Sequence, residues 1–235
     1  MIFTCAIYAG RGGKKKERKN DMIRIEHTEV FGLEAAIRGM RNPLESWVKS
    51  DSYWTHIEDP ETLQTAKFEF FVGDNDLGLM KKLARAGSDH GKFLRMINVA
   101  CDITAPLYWW KEFDTYKVGT VANSCSTMHK IHSKEFTMED FSCEHLMDDA
   151  IYHMASTVGV LNFYRKKFNE TNDKKWWWQM IQLLPTSYNQ KRTVQLNYQV
   201  LKSMYHARKN HKLDEWHDFC AWCESLPYFM ELCGE

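Results

Sequence analysis

Side chains suited to holding an anion are concentrated between Thr104 and His129. Lys117 supplies a compact positive charge, Thr120 and Ser126 supply hydroxyls that can donate to phosphate oxygens, and Asn123 supplies an amide. Lys111 and Glu112 sit just upstream as adjacent opposite charges. A second polar set, Asn197, Gln199 and Arg208, comes later in the chain. Arg208 can grip a phosphate through two parallel hydrogen bonds, whereas a lysine acts only as a point charge. Asn197 and Arg208 are eleven residues apart, close to three turns, so on one helix they point the same way. Lys117, Thr120, Asn123, Ser126, Asn197 and Arg208 are thus candidates to line one pocket for a phosphate-bearing ligand.

Other polar motifs are better explained by structure. Cys220 and Cys223 have the spacing of a redox or zinc pair, but no second pair lies nearby and the surrounding W-H-D-F-C-A-W-C-E-S reads as an amphipathic helix. They read as core or surface thiols. Asp74-Asn75-Asp76 lacks the spaced ligands of a calcium loop and reads as a helix cap. No metal-ligand set is expected.

The elements that must position the candidate site can be read in order. Met22 to His27 alternates like a half-buried strand, and Leu33 to Met40 reads as a helix stopped by Asn42-Pro43. Glu69 to Gly73 reads as a strand end, followed by a helix from Leu77 to Ala86. Lys92 to Thr104 reads as the central strand. Ala105-Pro106 turns the chain into an aromatic helix carrying Tyr108, Trp109 and Trp110. Thr137-x-x-Asp140 is a cap, Leu146 to Phe168 a long helix, and Asn169 to Lys175 a polar loop. Trp176-Trp177-Trp178 opens another helix, ended by Leu184-Pro185; three adjacent tryptophans cannot share one helical face, so at least one points away from the core. Arg192 to Ala207 reads as a further helix packed near Trp109 or Trp110, and Tyr228 to Glu235 as a tail.

In two segments the chain resembles the flavin-dependent thymidylate synthases. That family has a helix ending in Arg-Gln, then Arg-His-Arg-x-x-Ser, then a polar segment closing in Ser-x-Arg-Tyr. Here Lys111-Glu112, Thr115-Tyr116-Lys117, Thr120, and Ser126 with Met128-His129 stand in that order. Ser88-Asp89-His90 is similar to the family's Ser-x-x-Glu-His; read alone, His90 is a capping or surface histidine. The second segment, Leu184-Pro185, Asn197, Gln199, Arg208 and Leu213-Asp214-Glu215-Trp216, follows the family's Leu-Pro, Asn-x-Arg, arginine and next-helix pattern. The resemblance covers about residues 88–227 and implies an α+β fold, a single domain with a central mostly antiparallel sheet and packed helices.

It also implies a homotetramer with ligand sites between subunits, bound FAD, and methylation of dUMP to dTMP with methylenetetrahydrofolate and NADPH. Arg208 would be the catalytic residue, holding and polarising the pyrimidine. His90, Lys117, Thr120, Asn123 and Asn197 would contact the cofactor, and Lys111, Glu112, Ser126, Gln199 and Arg208 the substrate. The departures fall on the binding charges: lost arginines remove phosphate clamps, and Glu112 adds a negative charge. His129, Lys130, His132 and Lys134 are candidates to compensate, or else a solvated loop. Three functions stay open: a divergent synthase, a non-catalytic nucleotide- or ligand-binding protein of that fold, and a structural homo-oligomer.

Composition sets the outer bounds. The 235 residues carry 31 basic and 31 acidic side chains, net +0, which argues against bulk nucleic-acid binding. At 44% hydrophobic a packed core is expected, and no apolar run approaches a membrane span. An odd seven cysteines without a signal peptide point to reduced thiols and a cytoplasmic protein. Residues 1–21 differ in character from the rest, with an apolar start and then Lys14-Lys15-Lys16-Glu17-Arg18-Lys19. They read as a mobile basic tail or as a translated leader ahead of a true start at Met22, with 22–235 as one domain.

Overall fold

Asn98–Pro106 forms the strand on which the sheet is built. Its side chains alternate, with Val99, Cys101, Ile103 and Ala105 buried while Asn98, Ala100, Asp102 and Thr104 face outward half-buried. In the computed structural model, which describes residues 22–58 and 65–235, this strand is β4 of a four-stranded sheet ordered β1-β4-β6-β5. β1 is Arg24–Phe31, β5 is Thr120–Ser124 and β6 is Asn189–Asn197; every pairing is antiparallel. A separate hairpin pairs β2 (Tyr53–Glu58) with β3 (Thr65–Phe71). The fold is α+β in one domain, as the sequence implies. The expectations for residues 1–21 lie outside the described residues.

Helices α1 (Leu33–Arg41), α2 (Asp74–Arg85), α3 (Leu107–Phe113), α6 (Tyr198–Arg208), α7 (Asp214–Glu224) and α8 (Phe229–Cys233) contribute to the main core against the buried sheet face. Its aromatic centre is Trp109, 4.8 Å from Trp216 and 4.9 Å from Trp110 between ring centroids. Such clusters add directional ring contacts to the large apolar area they bury. A smaller core of Ile131, Phe136, Phe141, Val158, Leu161 and Met180 lies with α4 (Asp148–Thr171) and α5 (Lys174–Leu183). The adjacent tryptophans diverge as helical geometry requires: Trp176 stacks on Tyr164, Trp177 donates to the Met128 carbonyl, and Trp178 stays exposed. No helix among the described residues is long and apolar enough to cross a membrane.

Several expectations are corrected. The predicted helix Arg192–Ala207 is two elements, with strand β6 running through Asn197 and helix α6 starting at Tyr198. Val194 and Leu196 are buried while Thr193 and Gln195 are exposed, a period of two that the helical pattern conceals. Asn197 is the cap between them, its Oδ1 accepting the Val200 N–H at 3.1 Å. The central strand begins at Asn98, since Gly91–Arg95 is a 3-10 turn. The Asp74–Asp76 triplet is not the cap: Gly73 holds that position, and Asp51 accepts the N–H groups of Asn75 and Asp76. Helix α4 continues to Thr171, shortening the predicted loop. Tyr228–Glu235 is no tail, because α8 buries Phe229, Leu232 and Cys233.

Candidate functional site

The C-terminal end of α6 carries the most developed polar cluster. α3 is fixed by buried Trp109, Trp110 and Phe113, and the Trp110 indole donates to the Gln190 carbonyl at 2.9 Å. α7 is tied to α3 by Tyr108, whose hydroxyl donates to the buried Glu215 carboxylate. Burial, and next the hydrogen bond to Glu215, hold the Tyr108 phenol well above its ordinary range. This clamp brings Glu112 of α3 and Trp216 of α7 onto Arg208. Arg208 Nη1 lies 2.6 Å from Glu112 Oε2, and its Nε donates to the Tyr116 hydroxyl at 3.0 Å. The same Glu112 oxygen accepts the Trp216 indole N–H at 3.1 Å and lies 3.3 Å from His211 Nε2. The guanidinium sits 4.8 Å over the Trp216 ring and 5.6 Å from Tyr116.

Arg208 is therefore held by its own chain. The negative charge of Glu112, expected to repel an anionic ligand, is spent on the very arginine meant to bind one. Tyr116, His211 and Trp216 are partners the sequence reading did not assign. The usable signal was the exchange of a family Gln for Glu112 in a chain that keeps Arg208.

The N-terminal end of α6 is a second cluster. Gly119 has φ 78°, a region that disfavours other residues, and a methyl there would lie 3.0 Å from Asn197 Nδ2 and 3.1 Å from Val200 Cγ2. The chain between Tyr116 and Thr120 thus spans from the last turn of α6 to its first. Thr120 begins β5 opposite Leu196, and its hydroxyl is shielded from solvent without a hydrogen-bond partner. Gln199 lies in the first turn of α6, half-buried. Lys117 is exposed between the two ends and makes no ion pair among the described residues.

The six proposed pocket residues do not form one compact cup. Asn197 caps the start of α6 and Arg208 is its last residue, roughly 16 Å away along its axis at 1.5 Å per residue. Asn123 pairs with Thr193, three residues further along β5 and exposed, and Ser126 accepts the His129 N–H at 3.0 Å in the following turn. Lys111 is exposed on α3. His90 is exposed on the wall of a groove of about 1190 Å³ with Met40, Leu79, Phe93 and Met96, and makes none of these contacts. A ligand reaching both clusters must lie lengthwise along α6. Cys220 and Cys223 are free buried thiols; burial drives Cys220 up to about 11, so both are core residues.

No family model matches the sequence, and no curated protein matches it. Solved structures do. Two structures of the flavin-dependent thymidylate synthase ThyX from Helicobacter pylori, both holding FAD and dUMP, are 16% identical to the chain with TM-scores of 0.62. They cover 89% and 90% of this chain, which in turn covers 97% of each of theirs. At that identity the likeness concerns architecture: the chain has the fold of those synthases over nearly its whole length.

Proposed function

We propose that the chain is a divergent protein of the flavin-dependent thymidylate synthase kind, binding dUMP along α6 with FAD beside it. The observation carrying this reading is the meeting of both resembling segments on α6: Glu112 and Tyr116 at one end, Gly119 and Thr120 at the other. The reaction is methylation of dUMP to dTMP with methylenetetrahydrofolate and NADPH as co-substrates. Bound FAD would supply the hydride. Lys117, which makes no ion pair among the described residues, and the Thr120 hydroxyl, which has no hydrogen-bond partner among them, fit a phosphate. Arg208 fits the pyrimidine once Glu112 releases it. A homotetramer with shared sites and a cytoplasmic location belong to the same proposal. Exposed Tyr152, Val160 and Phe163 along α4, of which only Val158 and Leu161 are buried, support a subunit interface there.

A second reading has its own support. The Arg208–Glu112 ion pair favours a nucleotide-binding protein of the same fold without the methylation chemistry. Absorption spectra of the purified protein and calorimetry with dUMP separate the two. A flavin spectrum together with dUMP binding is expected for the synthase, and dUMP binding without flavin for the second reading. Lys117→Ala should then weaken dUMP by about ten- to a hundredfold, the worth of one charge-assisted contact. If neither ligand binds at millimolar concentration, both nucleotide readings fail and an assembled scaffold is what remains.

A further inference from the structure

α1 and the β2–β3 hairpin enclose a pocket of about 220 Å³ that belongs to neither end of α6. Its volume is below the range of about 300–1,000 Å³ usual for drug-sized ligands, so it suits one small ring system. Its walls are aromatic. Trp47 and Trp54 are each about half exposed, and Phe70 is buried edge-on against Trp54 with centroids 5.2 Å apart. Both indoles are fixed in place: Trp47 Nε1 donates to Asn42 Oδ1 at 2.9 Å, and Trp54 Nε1 to Glu34 Oε2 at 3.0 Å. Walls already held by side-chain hydrogen bonds lose little freedom when a ring slides against them.

The polar groups of this pocket are nearly all engaged. Arg41 is buried, with Nε 2.6 Å from Asp76 Oδ1 and its other nitrogens on the Ser46 and Lys49 carbonyls. The hydroxyls of Ser50 and Ser52 donate to Asp76 Oδ2, both at 2.6 Å. Glu34 accepts the Trp54 indole N–H through Oε2 and keeps its negative charge. Arg38 is the exception, since its exposed guanidinium makes no hydrogen bond or ion pair among the described residues. It stands one helical turn from Glu34 on α1 without pairing to it.

We infer that this pocket binds a small aromatic carboxylate, its ring between Trp47 and Trp54 and its carboxylate on the Arg38 fork. One planar guanidinium matches a carboxylate bidentately, and aromatic faces take a flat apolar ring. A quaternary ammonium, the usual guest of an aromatic cage, is the competing guest, because Glu34 keeps its negative charge while accepting the neutral Trp54 indole N–H, and choline is therefore the control.

Calorimetry on the full chain with indole-3-acetate, its neutral amide and choline tests this. Indole-3-acetate should bind, with the amide about ten- to a hundredfold weaker for want of the charge-assisted contact. Arg38→Gln, at an exposed position and with its fold checked by circular dichroism, should bring the acetate down to the affinity of the amide. Trp47→Ala should weaken both. Equal binding of acid and amide, no effect of Arg38→Gln, no acid binding at millimolar concentration, or preference for choline each overturns the inference. None of these outcomes depends on dUMP or FAD.

Discussion

Asp76→Ala is expected to destabilise the protein by about 3–5 kcal/mol, the cost of leaving one member of a buried ion pair alone. Asp76 is fully buried and Arg41 is 4% exposed. Removing the carboxylate strands the guanidinium and also orphans the hydroxyls of Ser50 and Ser52 and the N–H groups of Asp51 and Ser52, all bonded to Asp76 Oδ2. That one carboxyl joins α1, α2 and the entry to β2. Burial pulls its pKa up, but hydrogen bonds from Ser50 and Ser52, then the bond and charge of Arg41, outweigh this and hold it below the usual carboxylate value. A depressed folded-state pKa stabilises fully above the unfolded value, so the benefit is whole above about pH 4 and is lost as pH falls further, through the lower folded-state pKa. Urea unfolding of the wild type should show this acid loss, and Asp76→Ala should show less of it. A variant as stable as the wild type at neutral pH would contradict the assignment.

The same pair shows what the sequence could and could not disclose. Asp74-Asn75-Asp76 at a helix start carries a real local signal, and a helix does begin there. Which acid caps it depends on Asp51, more than twenty residues earlier, and no local pattern contains that contact. β4 was legible as an apolar run from its Val99, Cys101 and Ile103, but the run starts six residues early because Phe93, Leu94 and Met96 of the preceding turn extend it. α3 was legible because Pro106 precedes it and an aromatic run fills it. β6 was not. Its buried Val194 and Leu196 run directly into Val200, Leu201 and Met204 of α6, and the joined set imitates one helical face. Helical spacing sets Asn197 and Arg208 three turns apart on one helix, and they do belong to one helix, with Asn197 as the N-cap of α6 and Arg208 as its last residue. Tyr116 and Trp216 escaped notice because only the packing of α3 against α7 brings them to Arg208. The family resemblance set the two segments in order along the chain without showing that Glu112 and Arg208 touch.

That contact makes Glu112→Gln the most informative change at the site. Glutamine matches glutamate in shape and can still accept the Trp216 indole N–H, but it removes the charge that holds Arg208 Nη1 at 2.6 Å. The stability cost should be small, because Arg208 and Glu112 retain 17% and 33% side-chain exposure and partly solvated pairs contribute little, about 0–1 kcal/mol. The effect on ligand binding should be larger. A guanidinium freed from its own chain gains a charge-assisted contact to an anionic or carbonyl-bearing ligand, worth about ten- to a hundredfold in affinity. Calorimetry should find dUMP binding that much tighter in Glu112→Gln than in the wild type, with the gain abolished in Glu112→Gln/Arg208→Ala. Tighter binding in the single variant alone identifies Glu112 as an internal competitor for the nucleotide. Unchanged affinity means that Arg208 serves the packing of α3, α6 and α7 and takes no part in binding, and the pyrimidine-holding role assigned to it is then wrong.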